Sequence, residues 1–320
     1  MKKVLVTGGA GFIGSATIDL LLKTTDAEVV CVDIFDDTYE RKFKEDNISG
    51  FQDNERFSLY EVDIIDREEI NRVFAETKPS HVLHLAAKAD TRNAVENPYI
   101  YIDTNITGTL NVFEASVKEK VEQVVAASSS SVYGNNPIIP WHESNKELQP
   151  LSPYGATKLS TEFLGYTYYK NYDLPITMLR YFNAYGEHNR PNMVPYIWTE
   201  ALLKGEPVKI SGEGTRRRDY TYVGDIANGT IKALETNLGF EVLNLGHGSP
   251  LSLKELLELL ENVTGKKAEV ISRPSHPASV EETYADTTKA KELLGWKPEV
   301  SHTEGFERLA SWFSDHRLEE

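Results

Sequence analysis

Short apolar runs recur along roughly the first 180 residues, and between them apolar positions return every three or four places. Strands are predicted at Lys3–Thr7, Glu28–Asp33, Phe57–Glu61, His81–Leu85, Gln123–Ser128 and Ile176–Tyr181. Helices are predicted at Phe12–Lys23, Arg67–Glu76, Pro98–Lys118 and Pro153–Asn171, each long enough to cross back over a sheet. Alternation of this kind marks repeated β-α-β units, so the expected fold is α/β, a doubly wound parallel sheet with helices on both faces. After Tyr181 the pattern is broken at Gly186, Pro191, Pro195, Gly205, Pro207, Gly212 and Gly214, which predicts a smaller, mixed C-terminal lobe. The expected division is 1–182 and 183–320, with a segment near 219–236 returning to the first domain. In the second lobe Ser252-Leu253-Lys254-Glu255 reads as a capping box opening a helix over Leu253–Val263, and Gly265 closes it.

Composition narrows the function without naming it. At 320 residues and 40% hydrophobic the chain can bury a large core. Its formal net charge of -15 works against non-specific binding to nucleic acid or an anionic membrane, because both are polyanions. The longest apolar runs fall far short of the ~20 residues a bilayer span needs. The run after Met1-Lys2-Lys3 breaks at once into Thr7-Gly8-Gly9, unlike a signal peptide. A soluble, cytoplasmic protein is therefore expected. The single cysteine, Cys31, lies in an apolar run and reads as an inert core thiol. His81 and His84 read as packing residues, and no metal site is expected.

Between the first strand and the first helix stands Gly8-Gly9-Ala10-Gly11-Phe12-Ile13-Gly14. Glycines there let backbone N–H groups approach a pyrophosphate, and the helix dipole favours the anion. Asp33 ends the second strand 19 positions after Gly14, where a carboxylate can accept from an adenosine ribose and repel a 2′-phosphate. The pair points to NAD rather than NADP.

Tyr154 and Lys158 are four apart on a predicted helix that starts with Ser152-Pro153, so their side chains share a face. For a phenol to act as a base near neutrality takes roughly 4 kcal/mol of differential stabilisation. One ammonium about 5 Å away at an effective dielectric of ~20 supplies roughly 3 kcal/mol, and a positive nicotinamide ring can add the rest. Ser128-Ser129-Ser130-Ser131 closes a predicted strand at the sheet edge where such folds bind ligands, and one hydroxyl there can hold the substrate oxygen.

With Asp63-Ile64, His84-Leu85-Ala86-Ala87 and Asn105 between them, these motifs resemble the extended short-chain dehydrogenase/reductase superfamily, in its sugar-nucleotide epimerase/dehydratase branch. The similarity runs nearly end to end, through Arg180-Tyr181-Phe182-Asn183, Arg218-Asp219-Tyr220 and Tyr284-Ala285-Asp286. It implies NAD as cofactor, held by Gly8, Gly11, Phe12, Ile13, Gly14, Asp33, Asp63, Ile64, Leu85, Ala86, Ala87, Asn105, Tyr154, Lys158 and Tyr181. It implies Ser129, Tyr154 and Lys158 as the catalytic set, and Lys88, Ser129, Ser131, Asn183, Arg190 and Arg218 on a UDP-sugar. A homodimer through the helices at 105–118 and 153–171 is implied in the same way.

Within the branch, dehydratases carry an acidic pair after the catalytic Ser/Thr, where this chain has Ser130 and Ser131, so 4-epimerisation is the expected reaction. Tyr185-Gly186-Glu187-His188-Asn189-Arg190-Pro191-Asn192-Met193-Val194-Pro195 is similar to the Gly-Arg-Pro-Asp-Met-Ala-Pro stretch of UDP-glucuronate 4-epimerases, and Arg190 matches the arginine that approaches the sugar carboxylate. Asp36-Asp37-Thr38-Tyr39-Glu40 is similar to another segment of that subgroup. UDP-glucuronate to UDP-galacturonate is therefore expected. The alternatives are a UDP-glucose or N-acetylated 4-epimerase, a dehydratase, or a dinucleotide-binding protein without turnover. Two departures fall where base and ribose would lie: Ser211 replaces an aromatic residue, and Pro277-Ala278-Ser279 replaces Pro-Gly-Asp, with His276 adjacent.

Overall fold

The computed structural model describes residues 2–274 and 280–317; the departure at Pro277-Ala278-Ser279 and His276 lie outside them. Strands β1 (Lys3–Thr7), β2 (Glu28–Asp33), β3 (Phe57–Glu61), β4 (His81–His84), β5 (Gln123–Ser129) and β6 (Ile176–Tyr181) pair in the order β3-β2-β1-β4-β5-β6. Phe240–Leu245 adds a seventh strand beside β6, and every pairing is parallel.

The period of two sorts each strand's side chains to opposite faces. Val4, Val6, Val29, Cys31, Leu83, Val125 and Leu179 pack on one side with Ile18 and Leu21 of helix Phe12–Thr24 and with Ile226 and Leu234 of helix Val223–Glu235. Leu5, Val30, Val32, Val82, Val124, Ala126 and Met178 pack on the other with Ile70, Val73 and Phe74 of helix Arg67–Thr77 and with Phe113 and Tyr168. Each such side chain, fully buried, contributes about 1.5–3 kcal/mol, so a one-residue slip of any strand is strongly opposed. The Cys31 thiol is buried, and burial pushes its pKa well up, so it is held as a neutral core group.

The order reverses between β1, which continues to β2, and β4 on its other side, and a crevice opens at the carboxyl ends of these strands. One predicted helix is divided: Pro98–Lys118 becomes Pro98–Ile102, a π-helical turn Asp103–Gly108, and Thr109–Lys118. The wider turn carries the buried Asn105, whose amide exchanges hydrogen bonds with the backbone of Lys88 at 2.8 and 3.0 Å. The strand Phe240–Leu245 has no counterpart among the predicted ones, because Glu241 and Asn244 interrupt its alternation.

In the C-terminal lobe, Val208–Ser211 pairs with Val270–Arg273, and Asn183–Tyr185 with Tyr220–Tyr222. The capping box is formed: Ser252 N donates to Glu255 Oε2 at 2.7 Å and Glu255 N to Ser252 Oγ at 3.1 Å. That helix runs Leu253–Thr264 and ends at Gly265 in the left-handed region. Among the described residues, no helix is long and apolar enough to cross a membrane.

Candidate active site

A cleft of about 860 Å³ runs from the glycine turn, past the end of β5, into the C-terminal lobe. At its first end the chain comes so close to itself that side chains are excluded. A Cβ on Gly14 would stand 2.2 Å from the Gly8 carbonyl oxygen, and Gly8 itself has φ +70. Gly11 opens helix Phe12–Thr24 with no side-chain cap, which leaves its first N–H groups facing the cleft for an anion. Asp33 is fixed beside it by Ala10 N at 3.1 Å and Phe35 N at 2.8 Å. Burial pushes the Asp33 carboxyl up, while Lys44 and these N–H groups pull it down. Asp63, Ile64, Leu85, Ala86 and Ala87 line the same end. The donor set and the excluded Cβ positions fit a dinucleotide.

Ser129, Tyr154 and Lys158 converge at the middle of the cleft. Ser129 ends β5 and caps the turn Ser130–Tyr133, its Oγ accepting from Ser131 N at 3.1 Å and lying 3.2 Å from Ser131 Oγ. Helix Pro153–Tyr172, capped by Ser152, presents Tyr154 and Lys158 on one face. It is fastened by Glu162, which accepts from Ser128 Oγ at 2.5 Å and from Arg180 at 2.8 and 2.7 Å. This buried bidentate pair ties the catalytic helix to β5 and β6. Among the described residues, no group of three or more His, Cys, Asp or Glu is placed to hold a metal.

The electrostatics differ from the expectation for Lys158. Burial pushes the Tyr154 phenol up, and the groups opposing that are the Ser129 hydrogen bond and the Arg190 charge, not Lys158. The Lys158 ammonium donates to the Ala127 carbonyl at 2.8 Å, the strong acceptor within its reach, and burial pushes it down to about 8. Between that value and the ordinary 10.5 the unfolded chain holds a proton that the folded chain has released. Lys158 therefore opposes folding most below pH 8, and its contribution to stability rises with pH across that window. Lys158→Met is expected to flatten this segment of the stability-against-pH curve, measured by urea unfolding from pH 7 to 10; an unchanged slope contradicts it.

Lys88, Tyr181, Asn183, Arg190 and Arg218 all line the cleft. Asn105 is buried behind the cleft wall, where its amide is bonded to the backbone of Lys88 and to Thr157 Oγ1 at 3.0 Å. The Lys88 ammonium lines the cleft but is paired with Asp36 at 2.5 Å, because Asp36 is the nearest carboxylate. The Tyr181 hydroxyl is taken by Thr230 Oγ1 at 2.9 Å, though the residue borders the cleft. Asn183 and Arg218 line the far end: Asn183 Oδ1 accepts from Thr283 Oγ1 at 3.2 Å, and Arg218 donates to the Val280 carbonyl at 2.8 Å. Arg190 reaches the centre, held by the Ala89 carbonyl at 2.9 Å, and its charge acts on Tyr39, Tyr101 and Tyr154. His84 is a packing residue, bonded to Thr7 and Thr109 at 2.8 and 2.9 Å and pushed down to about 3 by burial.

Residues not singled out from sequence complete the site. Lys44 is buried against Asp33 at 3.7 Å and against Asp36. Asn189 lines the cleft beside Arg190, and neither end of its buried amide has a partner among the described residues. No spacing rule marks a lone lysine or asparagine of this kind, and only the folded neighbourhood reveals them.

A family model described as GDP-mannose 4,6 dehydratase matches residues 5–309. The UDP-glucuronate 4-epimerase of Thermodesulfobacterium geofontis is 43% identical over 99% of this chain and 97% of that protein. Among solved structures, the UDP-glucuronic acid 4-epimerase of Bacillus cereus in complex with UDP-glucuronic acid and NAD is 36% identical, with TM-score 0.91, over 98% of this chain and 99% of that one. The UDP-glucose 4-epimerase of Thermotoga maritima with UDP-glucose is 36% identical, with TM-score 0.90, over the same shares.

Proposed function

The chain belongs to the family described as GDP-mannose 4,6 dehydratase, and from its similarity to 4-epimerases within that family we propose that it is an NAD-dependent 4-epimerase of a UDP-sugar, with UDP-glucuronate and UDP-galacturonate as its pair. The observation that carries the sugar assignment is Arg190, a guanidinium held at the centre of the cleft where its charge acts on Tyr154. A planar fork beside the reacting carbon suits a carboxylate at C5 of the sugar.

NAD, when bound, supplies a reversible hydride acceptor. The remaining demands fall on the chain. Tyr154 takes the proton of the sugar's 4-hydroxyl and later returns it, while Ser129 holds that oxygen in line. Arg190 holds the carboxylate, and the diphosphate stays fixed at the far end while the oxidised sugar turns its other face. Ser130 and Ser131 put hydroxyls where a dehydratase needs an acid and a base, which disfavours loss of water.

The test is conversion of UDP-glucuronate by the purified protein, with UDP-glucose and UDP-N-acetylglucosamine alongside. Arg190→Ala is expected to lower kcat/KM on UDP-glucuronate by about 10- to 100-fold, the worth of a charged hydrogen-bonded pair, and to change kcat/KM on a neutral UDP-sugar far less. Equal loss on both contradicts the carboxylate role.

Residues 1–182 would then hold the cofactor and 183–320 mainly the sugar nucleotide, in a cytoplasmic homodimer. Support for the dimer is the apolar surface on three neighbouring helices, Pro98–Ile102, Thr109–Lys118 and Pro153–Tyr172, where Tyr99 is 80% and Phe163 64% exposed and Ile102, Leu110 and Tyr166 are exposed as well. Light scattering is expected to give a dimer for the parent and a monomer for Phe163→Asp; a monomeric parent contradicts this.

A further inference from the structure

The turn that carries Arg190 separates two cavities. Asn189 and Arg190 line the catalytic cleft, and His188 lines a second cavity of about 750 Å³ on the other side, among helices Phe12–Thr24, Arg41–Ser49 and His302–His316. With space on both faces, close packing alone does not fix the turn, and its position depends on the particular bonds it makes. It closes through Asn189 N, which donates to the Gly186 carbonyl at 3.2 Å, and His188 within it has φ +61. A histidine in that left-handed region costs about 1–3 kcal/mol and persists only where its surroundings hold it.

Two contacts do so. The His188 ring packs on Trp312 with 5.0 Å between centroids, and its Nδ1 lies 3.1 Å from Asn47 Oδ1. Asn47 is buried, and its Nδ2 donates to the Ala10 carbonyl at 2.9 Å. A carbonyl can only accept, so the amide oxygen faces the imidazole and His188 Nδ1 is the donor. Burial pushes this imidazole down to about 4, which leaves it neutral near neutrality with one ring proton to give. Ala10 belongs to the glycine turn, and its N–H donates to Asp33 Oδ2 at 3.1 Å. One hydrogen-bonded chain therefore runs from Asp33, at the dinucleotide end, through Ala10, Asn47 and His188, to a point two residues before Arg190.

We propose that Asn47 and His188 form a bridge that sets the Arg190 turn from the glycine turn, so that the guanidinium meets the sugar at a position fixed relative to the dinucleotide. Neither residue lines the catalytic cleft, so both are positioning residues that act through Arg190. Glu187 ties the same turn to the C-terminal lobe, accepting from Tyr222 Oη at 3.0 and 2.9 Å, and the bridge supplies the tie to the other side. Such ties matter because a misplacement of about 1 Å between reacting groups is costly even when its cause is remote. The bridge rests on the reading of Arg190 as the group that grips the sugar carboxylate.

The test is a double-mutant cycle read by equilibrium binding of UDP-glucuronate and UDP-glucose to the NAD-loaded protein, with Tyr154→Phe in every sample to prevent turnover. His188→Gly removes the ring and suits the left-handed backbone. It is expected to weaken UDP-glucuronate by about 3- to 30-fold, with a much smaller effect on UDP-glucose. Asn47→Ala is expected to reproduce that selective loss. Beside Arg190→Ala neither change is expected to cost more, because the group they position is gone. His188→Asn tolerates the left-handed region and places its Nδ2 where the ring Nδ1 stood, so it is expected to recover most of the affinity, which a role in folding alone does not predict. Parental affinity in His188→Gly overturns the bridge, as does a loss that persists in full beside Arg190→Ala, or His188→Asn binding as weakly as His188→Gly. If Arg190→Ala itself weakens both sugars equally, the carboxylate reading fails instead, and the bridge is decided by the same cycle on UDP-glucose.

Discussion

Tyr154→Phe is expected to lower kcat by about 10²- to 10⁴-fold, the usual worth of a positioned proton-transfer group, while NAD content and thermal midpoint stay at parental values. The ring packs edge-on against Tyr101 at 6.4 Å between centroids, and phenylalanine keeps that contact. What it removes is the hydroxyl bonded to Ser129. Burial holds the phenol protonated, so the proton can be exchanged only when a positive environment is built around it. Single-turnover measurements separate the effect from binding. A variant that turns over sugar as fast as the parent contradicts the assignment of the base.

Gly14→Ala is expected to abolish stable NAD binding, with affinity at least about tenfold weaker and turnover lost in proportion. The new Cβ would meet the Gly8 carbonyl oxygen at 2.2 Å and Gly9 Cα at 2.8 Å, both of them backbone atoms. No rotamer change relieves a clash with backbone, so the turn itself must open. Opening displaces the N–H groups at the start of helix Phe12–Thr24, and each charged hydrogen bond lost there costs about 1.5–3 kcal/mol. Overpacking alone adds roughly 1–3 kcal/mol of destabilisation, read as a lower thermal midpoint. Parental NAD affinity in this variant contradicts the cradle.

Much of the fold and the site is legible in the sequence because the signals are local. Six strands follow from alternation between glycine and polar breaks, and the glycine turn reads clearly because it falls between a strand and a helix. The four-residue spacing of Tyr154 and Lys158 is by itself enough to put both on one helix face. What the sequence does not carry is who partners whom. The spacing offers Lys158 as the cation for the phenol, yet its ammonium takes the Ala127 carbonyl, and Arg190 from a distant loop is the charge that reaches Tyr154. The bonds of Asn105 to the Lys88 backbone and to Thr157, made from a π-helical turn, are likewise not written in its local sequence. The strand Phe240–Leu245 is hidden by Glu241 and Asn244, which serve other elements: Asn244 accepts from Tyr133 Oη at 2.8 Å and Glu241 pairs with Lys289 at 2.5 Å. Ser211 reads as a lost aromatic until its hydroxyl is found under Arg273.

The reaction requires that the hydrogen leaving C4 return to the same carbon from the opposite side without passing through solvent. NMR of UDP-glucuronate incubated with the NAD-loaded protein in D₂O tests this directly. The expected spectrum is an equilibrium mixture with UDP-galacturonate that carries protium at C4 and at C5. Deuterium at either carbon, or a decarboxylated or dehydrated product in place of the epimer, contradicts the account.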